Sequence, residues 1–184
     1  MDFYDVIKKR QSISKYKGED VYKESIMKMI DSAMRAPSWK NKSSFKIIIV
    51  EDKKIKENVA NSIINDDDKA KLAVLEAPIV VIICAESYNS YNTDGKSFYL
   101  IDGAIAMEHF ILAATAEGYG TMWIGSVNEE KIKETLKIPD NIKVVGITPL
   151  GVSAEIKEHN PKKDIDKYIF LNEYDNPYID KNKW

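Results

Sequence analysis

The segment from Ser97 to Glu117 constrains this chain more than any other, because it reads as a long helix that is apolar almost all round. Ile101, Ala104, Ile105, Ile111, Leu112 and Thr115 recur at helical spacing and form one face, and Ala106, Phe110, Ala113 and Ala114 widen it. A helix apolar on most sides must be covered on most sides. Gly103, Ala104 and Ala106 give it a thin edge that another helix backbone can approach closely. In a chain of 184 residues, a second subunit is an expected source of the extra cover.

The flanking segments supply what that helix packs on. Phe45 to Val50 is a β-branched run that reads as a buried strand, and Ile79 to Cys84 is too short and too β-branched for a helix. Helices are expected over roughly residues 2–10, with Phe3, Val6 and Ile7 on one face, and over Val21–Arg35, with Ile26, Ile30 and Ala33 on one stripe flanked by Met29 and Met34. Further helices are expected over Lys53–Ile64, Lys69–Glu76 and Glu129–Leu136. Pro37 stops the second helix, since the residue before a proline avoids the α region. Tyr88 to Lys96 is rich in Asn, Ser, Asp and Gly and reads as a loop. Gly118-Tyr119-Gly120 ends the long helix, and Ile142 to Val152 is a strand interrupted near its end by Pro149 and Gly151. Helices interleaved with a few buried strands imply a three-layer α/β arrangement, with residues 1–184 as one domain.

Composition narrows the function. Apolar residues make up 44% and charged residues 30%, a globular balance, and the net charge of −2 gives no general pull toward nucleic acid or an anionic membrane. Any anion site must therefore be local. The apolar run Ala77–Ala85 is far shorter than the ~20 residues that span a bilayer, no secretory signal is apparent, and the cytoplasm is the expected compartment. Cys84, the only cysteine, reads as a buried inert thiol. There is no G-x-G-x-x-G after a strand, no P-loop and no G-x-S-x-G elbow. His109 and His159 lack partners at metal-ligand spacing and Asp66 to Asp68 reads as a solvated turn, so no metal is expected.

Arg10-Gln11-Ser12-Ile13-Ser14-Lys15-Tyr16 is different. It offers a guanidinium, hydroxyls and a lysine as the chain leaves a helix, a donor set suited to a small phosphorylated ligand. A basic helix end, with Lys8, Lys9 and Arg10 complementing the macrodipole, explains the same residues without a ligand. Ala36-Pro37-Ser38-Trp39-Lys40-Asn41 places polar and aromatic groups on a rigid turn before a strand.

Taken in order, these segments resemble the nitroreductase-like family of FMN-dependent oxidoreductases. Arg10, Ser12, Lys15 (one place late) and Tyr16 match its R-R-S-x-R/K-x-F/Y pattern. Ala36, Pro37, Ser38 and Asn41 match A-P-S-x-x-N-x-Q-P-W, although Ser43, Ser44 and Phe45 replace the Gln, Pro and Trp. Gly118, Gly120, Trp123, Ile124 and Gly125 match G-x-G-x-x-W-I-G, and Leu150-Gly151 with Pro161-Lys162-Lys163 matches a basic pair after a strand ending in L-G. The matches run over about residues 2–170.

The resemblance implies an α+β, three-layer α/β/α fold with a mixed central sheet flanked by helices, assembled as an intertwined homodimer. Residues 166–184 would be a C-terminal arm on the partner, with Tyr168–Phe170 adding an edge strand and Tyr174, Pro177, Tyr178 and Trp184 as anchors. It implies FMN as cofactor, with Arg10, Gln11, Ser12 and Ser14 at the phosphate and ribityl end, and Lys162 or Lys163 as a second cation. Gln11 and Ser14 stand where basic residues are usual, which weakens that end. Pro37, Ser38, Trp39 and Asn41 would approach the ring or ribityl chain from the partner subunit. Ile124 and Gly125, with Met122 and Trp123 nearby, would bring backbone donors near the ring's pyrimidine side and N5. Arg35 either reaches the ring or forms a surface ion pair. The activity implied is ping-pong hydride transfer at flavin N5 from NADH or NADPH to nitroaromatics, quinones or similar small-molecule acceptors. Reductive dehalogenation or flavin fragmentation, and flavin binding with little turnover, are the alternatives; the short Tyr88–Lys96 loop argues against added lid elements.

Overall fold

Ile79–Glu86 forms the strand around which the other elements are arranged, and every residue from Ile79 to Ala85 is buried. Its side chains alternate between two cores, as a strand covered on both faces requires. A computed structural model describes residues 1–65, 67–87, 92–93, 96–157 and 164–178. In order, the elements are α1 (Phe3–Lys9), α2 (Lys23–Met34), β1 (Phe45–Val50), α3 (Lys53–Ala60), α4 (Lys69–Glu76) and β2 (Ile79–Glu86). They continue with β3 (Asn92–Thr93), β4 (Lys96–Ser97), α5 (Phe98–Ala116), β5 (Gly120–Thr121), α6 (Glu129–Leu136) and β6 (Ile142–Gly151).

The main sheet has the order β1-β2-β6-β5, and all its strand pairs are antiparallel. A single parallel bridge, Ser12 to Thr121, makes the sheet mixed at its β5 edge. Ile79, Val81, Ile83 and Ala85 pack with Ile26, Met29 and Ala33 of α2 and Ala106, Met107, Phe110 and Ala114 of α5. Val80, Ile82 and Cys84 pack on the other face with Val59 of α3, Val74 of α4 and Ile132 of α6. Helices on both faces of one sheet give the expected three-layer α+β arrangement. Each Ile or Val so buried contributes about 1.5–3 kcal/mol. Burial also pushes the Cys84 thiol up to about 12, as an inert core thiol requires.

Local chemistry sets several boundaries. The side chains of Asp2, Asp52 and Asn128 accept from Asp5, Ile55 and Lys131 N–H and so start α1, α3 and α6. α4 ends at Ala77, which the following Pro78 holds extended. Some expectations are corrected. α3 stops at Ala60, because Ile63 leaves to bridge Val127. Within the Tyr88–Lys96 loop, β3 and β4 pair as a short hairpin. β6 runs on through Pro149 to Gly151, opposite Val80 and Ile79 of β2.

The two helix faces read as apolar also change. Only Val6 of α1 is buried, while Phe3 and Ile7 are exposed. In α5 the inward face is Gly103, Ala106, Met107, Phe110, Ile111 and Ala114, so Ile111 of the expected face is buried, while Ala104, Ile105 and Leu112 are part-covered and Ile101 is exposed. Both sides of α5 are apolar, so periodicity could not choose between them. Gly103 does allow a close approach, but to a strand: a Cβ there would lie 2.7 Å from Cγ2 of Val145 on β6. By length and mean hydropathy (1.3) α5 alone among the described helices could cross a membrane, yet it lies across the sheet between α2 and β6. Near the C-terminus, Phe170 bridges Pro177 and its ring meets Tyr174 at 5.0 Å, so the pairing described there is within the chain.

Candidate functional site

Arg10 ends α1 with an extended backbone, and its N–H donates to Val6 O at 2.9 Å. The chain then runs along one end of the sheet. Ile13 N–H donates to Thr121 O at 2.8 Å, Lys17 N–H to Val152 O at 2.9 Å, and Ala154 N–H to Lys15 O at 2.9 Å. Gly120 permits this track, because a Cβ there would stand 2.8 Å from Cγ1 of Ile13. Three segments distant in sequence thus converge: residues 10–17, residues 120–125, and the chain leaving β6.

The half-buried guanidinium of Arg10 and the exposed hydroxyl of Ser12 have no partner among the described residues. Ser14 is not open in this way. Its N–H donates to Glu155 Oε1 at 2.6 Å and its hydroxyl to the same oxygen at 3.1 Å, so the expectation of a free phosphate ligand at Ser14 is corrected. Lys157 Nζ lies 3.1 Å from that oxygen and also donates to Ser12 O. Partial burial pushes the Glu155 carboxyl up, but the Ser14 N–H, the Lys157 ammonium and the Ser14 hydroxyl outweigh it and hold its pKa below the usual 4.5. Gln11 lines a surface cavity of about 310 Å³ together with Lys9, Tyr119, Ser153 and Lys157.

Residues 122–125 are half committed to the sheet. Ile124 exchanges both backbone bonds with Ile147, at 3.0 and 2.9 Å, and Met122 N–H donates to Thr148 Oγ1 at 3.2 Å. Peptide groups alternate sides along a strand, so the N–H groups of Trp123 and Gly125 point away from β6 and are unclaimed among the described residues. Of the two expected donors, the Ile124 N–H is spent on Ile147, which corrects that expectation, and the Gly125 N–H stays open together with that of Trp123. Ile124 itself is buried, while Trp123 is 40% exposed.

The Pro37–Asn41 turn lies elsewhere. Trp39 N–H donates to Asp102 Oδ1 at 2.8 Å, and the Trp39 ring stacks on Phe98 at 5.6 Å, both near the N-terminus of α5. Residues 10–17 sit beyond its other end, beside Gly120. At about 1.5 Å per residue, α5 carries the two groups roughly 20 Å apart. One protomer does not bring the turn to Arg10. Arg35 takes the ion-pair alternative, with Nε 2.8 Å from Asp31 Oδ2 on the surface. Lys162 and Lys163 lie outside the described residues.

Asp102, Glu155 and Lys157 were not singled out by sequence reasoning. Asp102 carries a readable signal, being a lone carboxylate early in an otherwise apolar helix. Glu155 and Lys157 carry none, since they act on residues far away in sequence. Among the described residues no cluster of His, Cys, Asp or Glu is arranged to hold a metal.

The sequence signature described as the Nitroreductase family matches residues 7–152. A Methanothermobacter thermautotrophicus protein whose name pairs NADH dehydrogenase with NAD(P)H nitroreductase is 30% identical over 159 residues, covering 84% of this chain and 79% of the relative. A crystal structure of a nitroreductase family protein from Clostridium novyi NT superimposes with a TM-score of 0.82 at 49% identity, covering 97% of each chain. A protein called an FMN-dependent nitroreductase, from Clostridium difficile R20291, gives a TM-score of 0.81 at 28% identity, over 92% of this chain and 98% of that one. The fold is α+β, and the family match and the relatives make the chain an oxidoreductase. The chain belongs to the nitroreductase family.

Proposed function

We propose that this protein is an FMN-dependent oxidoreductase that takes electrons from NADH or NADPH and gives them, in ping-pong order, to nitroaromatics, quinones or similar small acceptors. One observation carries the reading. The unpaired, half-buried Arg10 and the Ser12 hydroxyl stand along the same β5 edge of the sheet as the unclaimed N–H groups of Trp123 and Gly125. That donor set fits FMN, with cationic and hydroxyl donors for a phosphate and separate backbone donors for a polar ring edge. FMN, when bound, supplies hydride acceptance and donation at N5, chemistry that no side chain here can replace.

The chain's own residues bind and orient. Arg10 would fork onto the phosphate and Ser12 would add a hydroxyl, with Lys162 or Lys163 as a second cation. Trp123 and Gly125 would donate to the ring edge, fixed donors in a site that sheds water being worth more than donors in solvent. The reading includes a homodimer in which the Ser38–Asn41 turn of one subunit reaches the Arg10 segment of the other, with residues 166–184 packed on the partner. Its support is the roughly 20 Å that α5 puts between those parts in one chain, and the exposed apolar side chains Phe3, Tyr4, Ile7, Leu100 and Ile101. The printed name of the Clostridium difficile relative supports FMN.

The test is the absorbance spectrum of purified protein after incubation with FMN and gel filtration, followed by anaerobic NADH or NADPH. Retained yellow flavin that bleaches with either nucleotide is expected. Protein that retains no flavin refutes the reading.

A further inference from the structure

We infer that Asp102 is a positioning residue that locks the Ser38–Ser44 loop into the shape it presents to the flavin, an inference that rests on the FMN reading above. Asp102 is 3% exposed. No cation pairs with it among the described residues; its two oxygens are used separately, Oδ1 by Trp39 N–H at 2.8 Å and Oδ2 by the Ser44 hydroxyl at 3.1 Å. One carboxylate therefore grips both ends of the loop. A buried carboxylate is costly unless hydrogen bonds satisfy it, so this placement in an apolar helix needs a return beyond packing.

The loop itself supplies that return. Lys40, Asn41 and Ser43 all hold left-handed φ values, +48°, +56° and +47°, although none is glycine. Such residues persist only where the surroundings over-determine them, and they cluster at ligand-handling sites. Other restraints are Ser43 N–H to Ser38 Oγ at 2.8 Å, Asn41 N–H to Ser38 O at 3.0 Å, Lys42 N–H to Trp39 O at 3.1 Å, Glu86 N–H to Ser44 O at 2.9 Å, and the Trp39 ring against Phe98 and the Lys40 and Lys42 ammoniums. Most of those ties are internal to the loop or at the surface; the Glu86 bond fixes the Ser44 end to β2 and the Phe98 stack holds the ring. Asp102 is the buried polar anchor that joins the loop to α5. The hydroxyl of Ser44 gives its second oxygen a partner that an apolar side chain would not.

The experiment compares wild type, Asp102→Ala, Asp102→Asn and Ser44→Ala, each checked for folding by far-UV circular dichroism. Asparagine can keep both contacts, accepting from Trp39 N–H and donating to Ser44 Oγ, so it serves as the conservative rescue. Two readouts are taken. Limited trypsin digestion of flavin-free protein reports loop opening through cleavage after Lys40 and Lys42. FMN titration by fluorescence quenching reports affinity. Asp102→Ala is expected to raise loop cleavage at least ~10-fold and weaken FMN at least ~10-fold, a change of about 1.4 kcal/mol. Ser44→Ala should fall between, and Asp102→Asn should stay within about 3-fold of wild type in both. Unchanged cleavage in Asp102→Ala overturns the locking role. Faster cleavage with unchanged FMN affinity overturns the link to the flavin. If Asp102→Ala does not fold, Ser44→Ala decides, and wild-type behaviour in both readouts overturns the inference. Wild type that binds no FMN removes the ligand half with the FMN reading itself, and trypsin alone then decides the locking half.

Discussion

Ser14 donates its backbone N–H to Glu155 at 2.6 Å across 141 positions of sequence, and its hydroxyl to the same oxygen at 3.1 Å. The bond ties the segment after α1 to the chain leaving β6. A carboxylate thus occupies the anion-binding capacity of Ser14, and Arg10 and Ser12 are left as the open donors on that segment.

The clamp should register in acid. The folded-state pKa of Glu155 is depressed below 4.5, so its stabilising effect is full above the unfolded value and disappears as pH falls through the folded one. The thermal midpoint of wild type should therefore fall more steeply below pH 4.5 than that of Glu155→Gln, with the two curves converging in strong acid. Parallel curves across that window would contradict the clamp.

Arg10→Ala should weaken FMN binding by about 10- to 100-fold, the scale expected for hydrogen bonds to a charged group. Arg10→Lys keeps the charge and loses the fork, so it should fall between. Fluorescence titration with FMN, and with riboflavin as a phosphate-free control, separates a phosphate contact from general damage. The arginine variants should differ from wild type for FMN and match it for riboflavin.

Gly103→Ala tests two opposed effects. Alanine in a helix interior gains about 1 kcal/mol over glycine, but the new methyl meets a stiff β-branched Val145 at 2.7 Å, and overpacking costs about 1–3 kcal/mol. The clash should win, lowering the thermal midpoint by a few degrees. Adding Val145→Ala should relieve it, so the double variant melts above Gly103→Ala.

Ile101→Asp places a charge on the part-covered side of α5, where Ile101 is 44% exposed. The expected outcome is a folded monomer by light scattering that no longer retains FMN. A monomer that binds FMN like wild type would contradict the shared site, as would wild type that is itself monomeric.

Much of the layer structure was legible because it rests on local periodicity. The β-branched run 45–50 and the short helices expected at Lys69–Glu76 and Glu129–Leu136 match β1, α4 and α6 end for end. The site was legible only in part. Arg10, Ser12, Trp123 and Gly125 lie in segments that read as ligand-facing and that the fold brings together. Gly125 was legible as a donor, but that Trp123 rather than Ile124 is its open companion depends on which strand edge faces β6. Glu155 and Lys157 were missed because a bond spanning 141 positions leaves no local pattern.

α5 acts as a ruler between the Arg10 segment and the Trp39 turn. Deleting one residue within it would shorten the ruler by about 1.5 Å and rotate one end against the other by about 100°. Substitutions along the helix change only what the ruler touches, whereas a change in its length misreads the distance between its ends. The 19 residues from Phe98 to Ala116 should therefore accept new side chains far more readily than a new count.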